Sequence, residues 1–277
     1  MATPSKPSEA MSFYDIAMNQ PSNCCAPNPW KSRLALNFKN IDYSTIWVSM
    51  PDITRVRRGL DMDASRKFGD GTDFYTLPVL VDPNTNSKIG DSFDIAIYLQ
   101  AKYPNSGAGD LFPPQKLDYV FNPENPLLVP LSERKDSEYE EYSKFNTNVD
   151  AVFTNYIGLG TYNFPFDPAH AEACKNIFIQ RAGVKSWDDF EIKGEVREKM
   201  KESFRVALGD LSKLFLKDPS GPFILGEQAC YADLIVDGWL RMLRVTLPAN
   251  EWEEVKGWHG GIFGRLHDGL EKYAEVK

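Results

Sequence analysis

Leu77-Pro-Val-Leu-Val-Asp-Pro-Asn-Thr-Asn-Ser-Lys-Ile-Gly-Asp-Ser-Phe-Asp-Ile-Ala-Ile-Tyr-Leu99 decides the fold. Residues 77–81 are apolar and β-prone, and the Asp, Pro and Asn cluster at 82–86 is a turn. Lys88 and Ile89 make a short return strand, and Gly90 leads into a helix over 91–103 with Ile95, Ile97, Tyr98 and Leu99 on or near one face. Upstream, residues 12–16 read as a short buried strand. Residues 29–38 carry Trp30, Leu34, Ala35 and Phe38 at helical spacing. Residues 43–48 are β-branched and aromatic, a second strand, and residues 52–64 predict an irregular helix. The order is βαβα followed by ββα: a parallel crossover, then a hairpin with a covering helix. That is the thioredoxin-like arrangement.

Beyond Pro104 the composition changes. Five prolines between 105 and 130 break any long helix, so residues 105–134 are expected to form a linker and irregular loop. From 135 to 277 the period is helical. Tyr142, Phe145, Val149, Val152, Phe153 and Tyr156 make one stripe, and Val196, Met200, Phe204, Leu208, Leu211 and Phe215 a second. A third, around Leu234, Ile235, Trp239 and Leu243, is apolar nearly all round and marks the central helix of an all-helical domain. The predicted organisation is therefore a loose tail over 1–10, an α/β thioredoxin-like domain over 11–104, the linker, and an all-α domain.

Bulk properties narrow the function. The balance of 42% hydrophobic and 25% charged residues is that of a globular protein. A net charge of −8 argues against a nucleic-acid partner, and Arg55-Val-Arg-Arg58 reads as a solvated helix face. No apolar run approaches the roughly 20 residues that span a bilayer. The polar start has no apolar leader, which predicts the cytoplasm. Cys24, Cys25, Cys174 and Cys230 suit a reducing compartment and, with three histidines, offer no metal-ligand spacing.

Four features stand out, three of them with chemical content. A proline opening a buried strand needs an edge or a special turn. If the Leu77–Pro78 bond is cis, the Leu77 N–H and C=O point outward and can pair with an extended peptide; if trans, the segment is an edge strand. At the next helix start, Ser92 can bond a ligand carboxylate and Asp91 a ligand ammonium, or both residues simply cap the helix. In Ala26-Pro-Asn-Pro-Trp-Lys-Ser-Arg33, Asn28 and Pro29 fit the N-cap and first helical position, and the Asn28 amide can also stabilise a thiolate. Cys24 and Cys25, just upstream, read as buried or idle thiols. Finally, Cys230 occupies an N-cap position and Asp233 can reach back to it, a folding signal. Together the first three point to a tripeptide thiol.

In order and spacing, the segments 26–33, 77–80, 90–99 and 226–233 resemble glutathione transferases over nearly the whole chain. The opening, with Tyr14-Asp-Ile16, Pro27-Asn28, Trp30-Lys31 and residues 34–39, looks most like the fungal Fua class, related to bacterial lignin β-etherases. The resemblance implies a cytosolic homodimer using glutathione as co-substrate. The Leu77 backbone, set by Pro78, would pair with the cysteinyl part, and Asp91 and Ser92 would hold the γ-glutamyl end. Ala26 stands where many relatives have a catalytic Ser or Cys. Another branch with Ala- or Thr-Pro-Asn places the thiol near the Asn, which makes Asn28 the expected catalytic residue. The implied activity is transfer of glutathione to small hydrophobic, aromatic compounds; the alternative is a ligandin-type carrier. Tyr139, Tyr142 and Trp239 can line the second pocket or pack internally.

Overall fold

Among the described residues, the first part of the chain runs through β1 (Met11–Ile16), α1 (Pro27–Phe38), β2 (Tyr43–Val48), α2 (Ile53–Gly59), the two-residue strands β3 (Arg66–Lys67) and β4 (Asp73–Phe74), β5 (Val79–Asp82), β6 (Ser87–Ile89) and α3 (Ser92–Lys102). A computed structural model describes residues 9–19, 24–124, 126–127, 129–132 and 138–277. Most of the predicted tail, and the predicted start of the helical domain at 135, lie outside the described residues. The main sheet has the order β2-β1-β5-β6. β1 and β2 are parallel, with Met11 opposite Tyr43 and Ile16 opposite Val48, and a parallel pair needs a long crossover such as α1 supplies. β5 runs antiparallel to β1, with Tyr14 opposite Val79, and β6 antiparallel to β5. Residues 273–277 return to the outer edge of the sheet, where Thr45 N–H donates to the Lys277 carbonyl at 3.1 Å and the Tyr43 hydroxyl to the Glu275 carbonyl at 3.2 Å. Covering an edge in this way removes an exposed ladder.

Three local expectations change. The helix foreseen over 52–64 is α2 alone, entered through a 3-10 turn over Met50–Asp52. The β3–β4 hairpin has no counterpart in the predicted order. Within the basic stretch, Arg55 is exposed but Arg57 is buried; its guanidinium donates to the carbonyls of Asp63 at 2.8 Å and Thr76 at 2.8 Å. An arginine that satisfies loop carbonyls holds the 60s loop against the strand start.

The rest of the chain is helical: α4 (Glu140–Asn155), α5 (Gly158–Thr161), α6 (Ala171–Ala182), α7 (Gly194–Ala207), α8 (Gly209–Leu214), α9 (Tyr231–Thr246) and α10 (Ala249–Gly269), the last interrupted at 258–261. The described residues of 105–134 contain neither helix nor strand. The α4 stripe is buried from Tyr142 to Phe153, whereas the second stripe is divided between α7 and α8, with Val196 exposed. α9 is buried along almost its full length and packs against α1, α4 and α10. Its start is fixed by Asp233, whose carboxylate accepts from Cys230 N–H at 2.8 Å and Ile224 N–H at 2.9 Å. Among the described residues, no helix is long and apolar enough to cross a membrane.

The contact between α1 and α9 positions the site. A Cβ on Gly238 would lie 2.8 Å from the Pro27 carbonyl oxygen and 2.8 Å from Lys31 Cγ, so only glycine permits this approach. Gly238→Ala is expected to push the α1 N-terminus outward and cost about 1–3 kcal/mol of stability. Denaturant unfolding measures this; an unchanged midpoint would show that the two helices separate freely. Because α1 is enclosed by sheet and helices, its charges are buried too. Arg33 pairs with Asp15 at 2.7 Å, and both side chains are fully buried. Lys31 pairs with Asp150 of α4 and donates to Asn146 Oδ1 at 2.9 Å.

Candidate functional site

The chain reaches the cleft first at α1. Ala26 is the N-cap residue and Pro27 the first helical position, so Asn28 sits inside the first turn rather than at its cap. This corrects the sequence expectation and sharpens the chemistry. The first N–H groups of a helix have no intrahelical partner. Pro27 and Pro29 have no N–H, and Trp30 N–H already bonds the Ala26 carbonyl at 3.2 Å. The Asn28 main-chain N–H is thus the donor left to the first turn, and it has no main-chain acceptor among the described residues. Its side-chain Oδ1 is buried with no partner among the described residues either. Turning the amide over exchanges oxygen for nitrogen at that place, so a bound anion would select the NH₂. Ala26 adds no polar group, as its side chain requires.

The Leu77–Pro78 bond is cis. Leu77 lines the same narrow throat as Asn28, a space of about 150 Å³, with Asp150, Thr154, Ile157 and Trp239 from the helical part on its far side. The Leu77 N–H has no partner among the described residues, and its carbonyl accepts only a long bond, 3.3 Å, from Thr76 Oγ1. Trp239 donates its indole N–H to Asp150 at 2.7 Å, so it forms wall and domain contact at once. Tyr142 instead packs internally, 3% exposed, and donates to the Pro113 carbonyl at 2.7 Å; Tyr139 stacks on Phe112 with ring centroids 4.0 Å apart.

A polar cavity of about 960 Å³ adjoins the throat, sharing Arg66, Pro130 and Leu131 with it. Asp91 lines this cavity. Its Oδ1 accepts from Phe93 N–H at 2.8 Å, the cap of α3, while Oδ2 accepts from Ser132 Oγ at 3.0 Å and Arg66 Nη2 at 3.3 Å. Capping and the cavity wall are therefore served by different oxygens of one carboxylate. Ser92 is 3% exposed and lies off the lining, its carbonyl accepting from the Tyr231 hydroxyl at 2.9 Å. Pro78 is buried and off the lining as well. Arg66, at the junction of the two spaces, was not singled out from the sequence. It donates to the Pro130 carbonyl at 2.6 Å, and its Nε is buried with no partner among the described residues. Nothing in a two-residue strand announces it. With Arg57, Arg66, Lys67, Asp63, Asp91 and Asp94 the cavity presents both charge signs, the complement of a molecule with carboxylates and an ammonium.

An apolar chamber of about 440 Å³ also adjoins the throat, sharing Val129, Thr154 and Ile157 with it. Phe178, Phe190 and Met200 supply much of its wall. The cysteines stand apart from all three spaces. Cys24 and Cys25 are 1% and 0% exposed, and burial, with Asp15 acting in the same direction, pushes both thiols up, that of Cys24 to about 12. Both are protonated at neutral pH and are poor nucleophiles.

A thioredoxin-like sheet that presents a cis-proline loop beside a helical domain, with a polar and an apolar space sharing walls with one throat, defines a two-domain class of protein. The comparisons give that class its family. The family described as Glutathione S-transferase, N-terminal domain, matches residues 26–102, and Glutathione S-transferase, C-terminal domain, matches 166–273. A glutathione S-transferase of Ceriporiopsis subvermispora, crystallised with glutathione, is 29% identical with a TM-score of 0.79, covering 97% of this chain and 99% of that one. The glutathione transferase GSTFuA3 of Phanerochaete chrysosporium is 25% identical with a TM-score of 0.76, over 98% and 99%. The glutathione S-transferase-like protein UstS of Aspergillus flavus is 30% identical over 115 residues, 39% of this chain and 40% of that relative's length. The chain belongs to the glutathione transferase family.

Proposed function

We propose that this protein binds glutathione across the polar cavity and the throat, and transfers its sulfur to small hydrophobic, aromatic electrophiles held in the apolar chamber. One observation carries the proposal: Asn28, whose buried side-chain oxygen has no partner among the described residues, lines the space that shares walls with the two larger cavities. Asp91 and Arg66 supply opposite charges for the γ-glutamyl head, and the Leu77 main chain pairs with the cysteinyl unit. Pro78 and Ser92 hold the backbone at those two points. The relative from Ceriporiopsis, crystallised with glutathione, supports the choice of peptide.

The chemistry asked of the protein is modest. A free thiol ionises near pH 8.5, so lowering it by about two units makes most of it thiolate at neutral pH. The Asn28 N–H, its side-chain NH₂ and the positive end of α1 all favour the anion. The proton leaves to solvent, the sulfur forms a bond to the electrophilic carbon, and the leaving group departs with the electron pair of the broken bond. A cytosolic homodimer is part of the same proposal, as the resemblance implies.

A second reading, a carrier that binds glutathione and aromatic compounds without turnover, is favoured by Ala26, which offers no hydroxyl or thiol. Calorimetric titration with glutathione, paired with turnover of several aromatic electrophiles, separates the two. The transferase reading expects micromolar-to-millimolar binding and turnover, whereas binding with no turnover would establish the carrier. Cys25→Ser is expected to leave both measurements unchanged, because its buried thiol stays protonated. A loss of turnover in that variant would restore a thiol-based mechanism.

A further inference from the structure

The groups assigned to glutathione stand on separate short segments: Arg66 after the 60s loop, Leu77 after Thr76, and Asp91 after Gly90. One side chain reaches all of these segments. Arg57, near the end of α2, is 3% exposed, whereas Arg55 and Arg58 of the same basic run are exposed. Its Nε and Nη2 donate to the Asp63 carbonyl at 3.1 Å and 2.8 Å, and its Nη1 donates to the Thr76 carbonyl at 2.8 Å and the Gly90 carbonyl at 3.3 Å. Ser65 Oγ, beside Arg66, donates to the same Gly90 carbonyl at 3.4 Å. Four of the five guanidinium N–H donors are thus spent on main-chain carbonyls that lie just ahead of the glutathione-facing residues.

The guanidinium also fits closely. A Cβ on Gly90 would lie 2.7 Å from Arg57 Nη2 and 3.1 Å from Nη1, so the group rests against the Gly90 backbone with no room for a side chain between them. Burial pushes the Arg57 pKa down, and Asp91 is the largest influence raising it, so the two charges sense one another. A planar guanidinium fixes the directions of its acceptors as well as their distances, which an ammonium on a flexible stem cannot do. None of the Arg57 side-chain hydrogen bonds among the described residues reaches α1, where Asn28 stands.

We propose that Arg57 is the positioning residue of the glutathione site: it sets the span between the Leu77 main chain, the Asp91 carboxylate and Arg66, so that one tripeptide bridges them. This rests on the reading given under Proposed function and deepens it. Arg57 acts through the backbone it holds. It governs how tightly glutathione is bound and leaves ionisation of the thiol to the α1 end of the site.

Calorimetric titration of glutathione into the full protein, with ultraviolet titration of the bound thiol, tests the assignment. Arg57→Lys keeps the charge and removes the planar fork. It is expected to weaken glutathione about 10-fold or more, the scale of one lost hydrogen bond to a charged group, while the bound thiol titrates as in the wild type. Asp91→Asn, which keeps a capping side chain, is expected to weaken binding by the wild type and to cost the Arg57→Lys protein much less, because the acid there no longer stands at the ligand's span. Gly90→Ala keeps the arginine but displaces its guanidinium, and is expected to weaken glutathione in the same way; if Arg57→Lys does not fold, this variant decides. Wild-type affinity in Arg57→Lys would overturn the assignment, since charge alone would then suffice. Wild-type affinity in Gly90→Ala, an Asp91→Asn cost that is the same in both backgrounds, or a displaced thiol titration in Arg57→Lys would overturn it too. In each of those cases glutathione binding by the wild type shows that the wider functional reading stands. Absence of that binding would defeat the wider reading and this assignment with it.

Discussion

Asp150→Ala is expected to destabilise the protein by about 3–5 kcal/mol, because it strands a buried charge. The Lys31 side chain is completely buried, and that of Asp150 is 4% exposed. The carboxylate also accepts the Trp239 indole N–H at 2.7 Å and Asn146 Nδ2 at 3.2 Å, so its removal leaves further buried donors unpaired. Burial lowers the Lys31 pKa, and Asp150 is the largest influence opposing that fall. Without Asp150 the folded-state pKa drops further below the unfolded value, near 10.4. The unfolded chain then holds more protons than the folded one, so the variant gains stability as pH rises through the folded pKa, completely so above the unfolded value. Urea unfolding at several pH values should show a deficit that shrinks toward alkaline pH. Lys31→Met/Asp150→Leu, which removes both charges, should recover the part of the loss due to the stranded lysine, while the Trp239 and Asn146 donors stay unpaired. A single-variant cost under about 1 kcal/mol would mean that water reaches the pair and that it does not hold α1 to α4.

Asn28→Asp carries the largest expected effect on chemistry. The substitution preserves size and the backbone N–H but puts a carboxylate where the thiolate should form. A hydrogen bond to a charged group is worth about 1.5–3 kcal/mol, so Asn28→Ala alone should lower kcat/KM about 10–100-fold at neutral pH. Like-charge repulsion adds to that in Asn28→Asp, for a loss above about 100-fold. The sign with pH is definite: a raised pKa of the bound thiol moves the rising limb of kcat/KM to higher pH, and part of the rate returns under alkaline conditions. Kinetics across that range, together with glutathione affinity, distinguish this from misfolding. An Asp variant whose limb does not move would reduce Asn28 to a residue of the first helical turn.

The sequence made some of this site legible and hid the rest for physical reasons. The strand and hairpin after Leu77 and the Asp91 cap could be read because each has a composition tied to its geometry. The start of α1 could not. Pro27 and Pro29 both suit a first turn whose N–H groups are unpaired anyway, so the pattern fits two registers, and only the chain's path chooses Ala26 as the cap. Strands of two residues, Arg66–Lys67 and Asp73–Phe74, are too short to show a period, which concealed Arg66. Periodicity also says which side chains are apolar, not which charges are enclosed. The burial of Lys31, Arg33 and Arg57 follows from α1 and the 60s loop being covered by other parts of the chain. Ser92 illustrates the converse, since a capping pattern puts it at a helix start without revealing that Tyr231 covers it.

The ionisation of the thiol of protein-bound glutathione, followed by the ultraviolet absorbance of the thiolate as pH is varied, bears most directly on the whole account. The wild type should show a titration about two units below the free thiol's value near 8.5, and Asn28→Ala should return it most of the way. A bound thiol that titrates as it does in free solution would contradict the account, and the cleft would then be a place where the tripeptide rests without being activated.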